Sequence, residues 1–532
     1  MQVYQEQTFT ESKQLTYDEA LTQVGGAGLY QKRAFLIFGL QWLITRLIRN
    51  IKFFSWILFS PVFFFIKPTI DCRSNAECLN QCSSESLDEK CLDYVCDDSI
   101  RREFVVGESL NTAFDALLPC HKTLQSIIQS TVYLGSVSGL IIFSFIADNY
   151  GRKLSLSISW AMTSFGALLV TLQDFSSQVL EVIQQLLYII HLLMNIPVIQ
   201  LYQRFYIEGN FREVQNVGVQ VFFAIGEFAI IALAYFITYW RWLAVSVAIP
   251  SILLNIGNLL IFESPQFLYT KNKKKCVKIL NQIAKLNGTQ YIKIDDLATN
   301  PQTKENNSRV YSILDLLKYK SLRYVFFAGV MMFFAIKVTY YGISFVSDQL
   351  GLNFFTTNFI IAFFELLAFA TLDFFITKLK RKTNIISGFF IVGFMSLYFL
   401  FQSDHIVFRI FEGILAGLMR FLICAVWALG YIYVSELFPS VVRSLALCLI
   451  SAGGSFGSIA QAFLSNLCSS LNVHPMVAFG IICVLCALLL FPLRETLHQP
   501  LREKIEEDQT RIRSSMLHIN DSEQITSPLH DT

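Results

Sequence analysis

Charge is scarce in this chain. Of 532 residues, 15% are Asp, Glu, Lys or Arg, against about 25% in soluble globular proteins, which excludes an ordinary soluble domain. The formal balance is +2, so no global field points to nucleic acid. No G-x4-G-K-[ST] run is present, so a P-loop is excluded. Histidine appears only seven times. No His/Cys/Asp constellation converges at one depth, so the sequence implies no enzyme, no metal site and no cofactor. The first 33 residues lack the short apolar core and small-residue cleavage site of a signal peptide. The first apolar run is therefore expected to act as its own insertion signal.

What the chain has in excess is apolar surface. It is 54% hydrophobic, with 49 phenylalanines. The excess falls in blocks of about 20 residues, enough helix to cross roughly 30 Å of hydrocarbon. Spans are expected near 34–66, 124–146, 154–173, 180–203, 214–238 and 242–262, then near 323–347, 354–376, 384–402, 406–433, 443–465 and 472–493. The expected fold is an all-α polytopic membrane protein of twelve transmembrane helices in two six-helix bundles. Its parts are a tail (1–33), a first bundle (34–263), a basic linker (264–322), a second bundle (323–493) and a tail (494–532). The lipid bilayer is thus an obligate partner; the oligomeric state is not legible.

Lysine and arginine cluster in the even-numbered links: Arg152 and Lys153, the 264–322 linker, and Lys378, Lys380, Arg381 and Lys382. The positive-inside rule places these links and both termini in the cytosol. The link at 67–122 then lies on the exoplasmic side. It holds Cys72, Cys78, Cys82, Cys91, Cys96 and Cys120. Six cysteines on an oxidising side imply a small disulfide-held domain of undetermined pairing. The C-x3-C spacing of Cys78 and Cys82 leaves zinc as the alternative. Cys424, Cys448, Cys468, Cys483 and Cys486 fall in spans and read as packing residues. The Asn-x-Ser/Thr acceptors Asn287, Asn306 and Asn520 all fall on the cytosolic side, so no N-glycan is expected. In the linker, Val277, Leu280, Ile283 and Ala284 recur at helical spacing, as a cytosolic brace or a basic helix on anionic lipid. Ser312 to Lys318 reads as a further short helix. Pro265 is expected to end a helix.

Ionisable groups at membrane depth cost about 2.5–3.5 kcal/mol each on insertion scales, so they are candidate substrate contacts. Arg46, Arg49 and Lys52 lie inside the first span. Phe53–Ile66 alone is too short to cross, so these charges either face a water-filled cavity or snorkel to the cytosolic edge. Lys337 lies mid-span, too deep to snorkel. Tyr340, Tyr341, Phe364 and Trp427 offer an aromatic wall for an organic substrate; packing is the plain alternative for each.

The link Ala147-Asp148-Asn149-Tyr150-Gly151-Arg152-Lys153 is too short to be a domain. Gly151 supplies the positive φ of a tight turn, and Arg152 and Lys153 serve as anchors on the positive side. With its flank, "FSFIADNYGRK" resembles the signature G-x-L-[AS]-D-R-x-G-R-[RK] between helices two and three of the major facilitator superfamily. Ser144 and Asn149 depart from it. "AYFITYWRWLAVSVAIPSILL", "ESPQFL", "SILDLLKYKSLRY", "TYYGISF", "SELFPSVVRSLAL" and "RETLHQPL" are similar to elements of its organic cation/anion/zwitterion transporters, solute carrier family 22. A cysteine-rich first link is a hallmark of that family.

The resemblance implies a secondary transporter that moves a small organic ion by alternating access. It implies a charge latch at Asp148, Gly151, Arg152 and Lys153, and a second at Glu436 and Arg443. In the second half, the link 377–382 has lost its acid and glycine. Arg420 and Glu365 match a basic and an acidic position of the family. Cation carriers tend to have acids where Ala428 and Ser455 stand, and anion carriers a basic residue at the Ser455 position, so neither determinant is present. Arg46, Arg49, Lys337 and Arg420 outnumber Glu227, Glu365 and Glu412, which leans the expectation to an anion or a zwitterion bearing a carboxylate. A sugar or polyol porter, and a non-transporting sensor or assembly subunit, are the alternatives. The plasma membrane is the expected location.

Overall fold

Apolar runs of this length settle as helices in a bilayer because a helix satisfies its own N–H and C=O groups. The computed structural model describes residues 15–51, 70–71, 105–106, 146–161, 210–298 and 317–497, less 27, 148, 159, 238–239, 348, 351, 379 and 402–404. Among them the regular structure is helical, apart from a two-residue antiparallel pair. That pair, β1 (Ile70–Asp71) with β2 (Val105–Val106), lies in the 67–122 link. The six cysteines of that link lie outside the described residues, as do most of spans 124–146, 154–173 and 180–203. The chain divides into two compact units, Met1–Ser308 with Phe354–Ala362 and Arg309–Asn353 with Phe363–Thr532.

The first unit contains α1 (Tyr17–Gln23), α2 (Leu29–Ile51), α3 (Asn210–Phe236), α4 (Trp240–Gly257), α5 (Pro265–Lys271) and α6 (Lys273–Asn287). Expected spans five and six correspond to α3 and to α4 with a short 3-10 turn, Asn258–Leu260. The helix that enters the first expected span, α2, begins ahead of it, at Leu29. Helix α2 packs chiefly on α3 and then on α4. Where α2 meets the end of α4, the Tyr30 hydroxyl accepts from Phe262 N at 3.0 Å and Gln41 Nε2 donates to Asn258 Oδ1 at 2.5 Å.

Pro265 corrects the expectation that it ends a helix. It occupies the first turn of α5, and the Ser264 side chain caps that helix by accepting from Phe267 N. Proline suits this place because the first helical N–H has no intrahelical partner to lose and its φ is already helical. The expected amphipathic helix is α6, with Cys276, Val277, Leu280, Ile283 and Ala284 all buried. Ala20, Leu21 and Val24 of the α1 region are buried in the same unit, and the Tyr17 and Tyr269 rings lie 5.4 Å apart. Leu15 N donates to Asp296 O and Ala298 N to Leu15 O. The amino-terminal segment therefore clips onto the linker.

Asn287 closes that clip. Its Oδ1 accepts from Tyr30 N at 2.8 Å. Its Nδ2 donates towards Val24 O, Gly25 O and Gln31 Oε1 at 2.9–3.2 Å. Asn287→Ala is expected to destabilise the protein by about 1–3 kcal/mol, because it strands partly buried polar groups. Asn287→Asp is expected to cost more, since it sets a carboxylate oxygen against three acceptors. Thermal unfolding of the purified variants checks both.

The second unit is built from α7 (Lys320–Phe345), α8 (Phe354–Lys378), α9 (Arg381–Ser396), α10 (Ile406–Leu437), α11 (Ser440–Ser470) and α12 (Pro475–Leu490). The start of α8, through Ala362, is grouped with the first unit. These helices match the last six expected spans; α7, α8, α10 and α11, and α9 together with the 3-10 turn Leu397–Leu400 that continues it, each contain a stretch long and apolar enough to cross a membrane. Of the linker stretch Ser312 to Lys318, only 317–318 are described, and they are helical. Among the described residues of this unit, the most extensive helix packing is that of α7 on α11. A Cβ at Gly457 would collide with the Phe334 carbonyl, and one at Gly454 with Phe333 Cβ. Glycine at both positions lets the two backbones approach. Cys424, Cys468, Cys483 and Cys486 are buried as packing residues, whereas Cys448 is exposed.

His474 caps α12, its Nδ1 accepting from Met476 N at 3.3 Å, and its ring stacks on Phe399.

Candidate functional site

Three residues on one side of α7 set up the interior of the second unit. Lys337, Tyr340 and Ser344 are spaced three and four apart, so their side chains stack along one helical face. Glu365 on α8 and Arg420 on α10 are fully buried. Arg420 Nε lies 2.8 Å from Glu365 Oε2, and the Tyr340 hydroxyl donates to Glu365 Oε1 at 2.9 Å. Arg420 Nη1 also donates to the Tyr340 carbonyl, and to Ser344 Oγ at 3.0 Å. Its guanidinium lies 3.4 Å above the Tyr340 ring centroid. An ion pair buried this deeply is tenable because hydrogen bonds take up part of the lost hydration.

The aromatic wall expected from sequence is partly assembled. Tyr340 packs edge-on against Trp427 at 4.8 Å and Tyr341 at 5.1 Å, and Tyr341 reaches Trp427 at 6.2 Å. Phe364 instead meets Phe363. Lys337 turns towards α11, where Nζ donates to Ser451 O at 2.7 Å and Ser455 Oγ at 2.8 Å. An ammonium group is thereby set beside Ser455, the helix-eleven position that carries no charge of its own. Ser455, Ser458, Gln461 and Ser465 are also buried, which gives α11 a polar stripe in an otherwise apolar surround.

At the ends of the helices lie two charged turns. In the first unit Gly151 has φ +116°, as its place in a tight turn requires. The helix that follows starts at Arg152. Its first N–H groups, Arg152 N and Lys153 N, donate to Glu263 Oε1 at 3.1 and 3.0 Å. Arg152 Nη1 reaches Ser264 Oγ at 3.2 Å. A carboxylate on a helix amino terminus satisfies orphan donors and matches the helix dipole. Glu263 is the partner that sequence reasoning missed. The signal was present in the acid just before Ser264-Pro265, but its partners lie more than 100 residues upstream.

In the second unit, Arg381 Nε lies 2.9 Å from Glu436 Oε2. Lys382 N donates to Glu495 Oε1 at 3.3 Å, and Lys382 Nζ to Phe491 O at 2.7 Å. Arg443 is half-buried, and its charge acts on Glu436. The acid that link 377–382 lacks is thus supplied by Glu436 and Glu495. Arg46 and Arg49 lie on α2, but their side chains are outside the described residues, as is Asp148. No group of three or more His, Cys, Asp or Glu side chains could hold a metal among the described residues.

Residues 75–508 match the family model described as "Sugar (and other) transporter". Among similar proteins is "Organic cation/carnitine transporter 2" of Homo sapiens, 25% identical over 71% of this chain and 68% of that protein. The "Organic cation transporter protein" of Drosophila melanogaster is 24% identical over 93% of this chain and 94% of its own. "Solute carrier family 22 member 6" of Danio rerio is 25% identical over 74% and 70%. Among solved structures, the xylose transporter XylE of E. coli, inward open, aligns with TM-score 0.56 and 16% identity, over 88% of this chain and 98% of its own. That likeness concerns the fold.

Proposed function

We propose, since this chain belongs to the sugar (and other) transporter family of major facilitators, that it carries a small organic anion, or a zwitterion with a carboxylate, across the plasma membrane. The single observation that carries the anionic preference is the placement of Lys337 Nζ beside Ser455 on the buried polar face of α11. Arg420 faces Glu365, so its charge is matched where it lies, and its role is to hold α7, α8 and α10 in register. Arg46, Arg49, Tyr341 and Trp427 would complete the substrate surface. Relatives named for organic cations, carnitine and solute carrier family 22 support an organic ion as cargo.

Substrate would bind near the midplane between two six-helix bundles, which rock to expose it to either side. Asp148, Gly151, Arg152 and Lys153 with Glu263, and Arg381, Glu436 and Arg443, would act as charge latches at the cytosolic ends. Both termini would lie in the cytosol. A charged substrate carried alone feels about 2.3 kcal/mol per 100 mV of membrane potential.

The test is uptake of a labelled organic anion, organic cation and neutral sugar, side by side, in cells with the protein shown at the surface. Anion uptake above control is expected. Uptake of the sugar alone would establish the porter alternative, and uptake of none would return the non-transporting one.

A further inference from the structure

Between Glu263 and Asp295 the chain has no acid, and all seven charged residues are lysines. Helix α6 turns its apolar face into the first unit, where Val277, Leu280 and Ile283 are buried. On the opposite side Lys274, Lys278 and Lys285 form one exposed stripe, at spacings of four and seven residues. Three apolar side chains in and after α6 are exposed, Leu286 at 43%, Tyr291 at 62% and Ile294 at 41%, and Asn281 holds the 291–294 stretch against α6 by donating to Ile292 O at 2.9 Å and accepting from Ile292 N at 2.8 Å. A basic stripe flanked by exposed leucine, tyrosine and isoleucine has the make-up of an interfacial surface, in which lysines meet phosphate and apolar groups enter the headgroup boundary.

Position along the chain favours one occupant. The apolar run of α4 ends in the turn at Leu260, whose side chain and that of Leu259 are exposed. The first lysine of the series, Lys271, follows eleven residues later. The nearest polyanion to such a segment is the leaflet from which α4 has just emerged. We propose that the lysine face of α6, with Leu286, Tyr291 and Ile294, docks on the anionic lipid surface of the protein's own membrane. The clip made by α1 and Asn287 fixes α6 from behind, so the docked face is rigid rather than induced. The proposal rests on the membrane reading but not on the substrate.

The test uses the full-length protein in nanodiscs of phosphatidylcholine alone or with phosphatidylserine, with lysines footprinted by an acetylating reagent and read by mass spectrometry. Lys274, Lys278 and Lys285 are expected to be protected in the phosphatidylserine discs, and deprotected again in high salt, because screening shortens the reach of the charge. Leu286→Ser with Ile294→Ser is expected to weaken the protection without altering the rest of the lysine map. Equal labelling in both discs would overturn the proposal. So would equal protection in phosphatidylcholine discs given soluble glycerophosphoserine, which would assign the site to a free headgroup rather than a lipid surface. Neither outcome depends on transport, so failure here leaves the proposed function standing.

Discussion

Alanine at Glu365 is expected to destabilise the second unit by about 3–5 kcal/mol, the usual consequence of leaving a buried charge without its countercharge. Arg420 is fully buried, so the stranded guanidinium cannot regain water without opening α7, α8 and α10. The Tyr340 hydroxyl loses its acceptor in the same step. A protein of ordinary stability has only about 5–15 kcal/mol to lose, so the variant is expected to reach the cell surface poorly. The paired change Glu365→Leu with Arg420→Met is expected to recover most of the stability, because an apolar pair of similar volume replaces a desolvated ionic one. Uptake is expected to stay low in the rescued protein if the pair orders the site. Thermal unfolding and surface labelling of the single and double variants check the first part, and uptake per surface molecule the second. A single variant as stable as wild type would contradict the pairing.

Gly151→Val is expected to have the second largest effect. At φ +116° a β-branched residue is a backbone outlier, costing about 1–3 kcal/mol by strain alone. Its Cβ would also sit 2.5 Å from Glu263 Oε2, displacing the carboxylate that accepts from Arg152 N and Lys153 N. Glu263→Gln is the milder companion. It keeps an acceptor over the helix terminus but removes the negative charge, a loss of about 0.3–1 kcal/mol. The expected order of thermal stability is wild type, then Glu263→Gln, then Gly151→Val. Equal stability of Gly151→Val and wild type would sink the turn geometry.

Much of the architecture is legible because hydrocarbon imposes one local solution. Helices α7 to α12 follow the apolar blocks within a few residues, and the 3.6-residue period of Val277, Leu280, Ile283 and Ala284 marks the buried face of α6. Pro265 misleads because the residue that stops one helix is equally suited to begin the next; the Ser264 before it, a good cap, is the stronger sign. Pairing is the part that local pattern does not carry. Glu365 and Arg420 each stand out as isolated charges at membrane depth, yet nothing local joins residues 55 positions apart. Glu263 carries no local sign of its partners, which the fold brings to it at Arg152 and Lys153. Ser455 reads as a missing charge until Lys337 arrives from α7. The amino-terminal clip is invisible for the same reason: Asn287 works across 257 residues to reach Tyr30.

The central claim of the proposal is that Lys337 contributes positive charge to the substrate surface. Its most direct test is uptake of a labelled organic anion by Lys337→Ala and Lys337→Arg, each normalised to protein at the cell surface. A charge-assisted contact is worth about 1.5–3 kcal/mol, so a loss of about tenfold or more is expected for alanine, with arginine keeping part of the activity. Anion uptake unchanged in Lys337→Ala, or cation uptake that this substitution leaves untouched, would contradict the account.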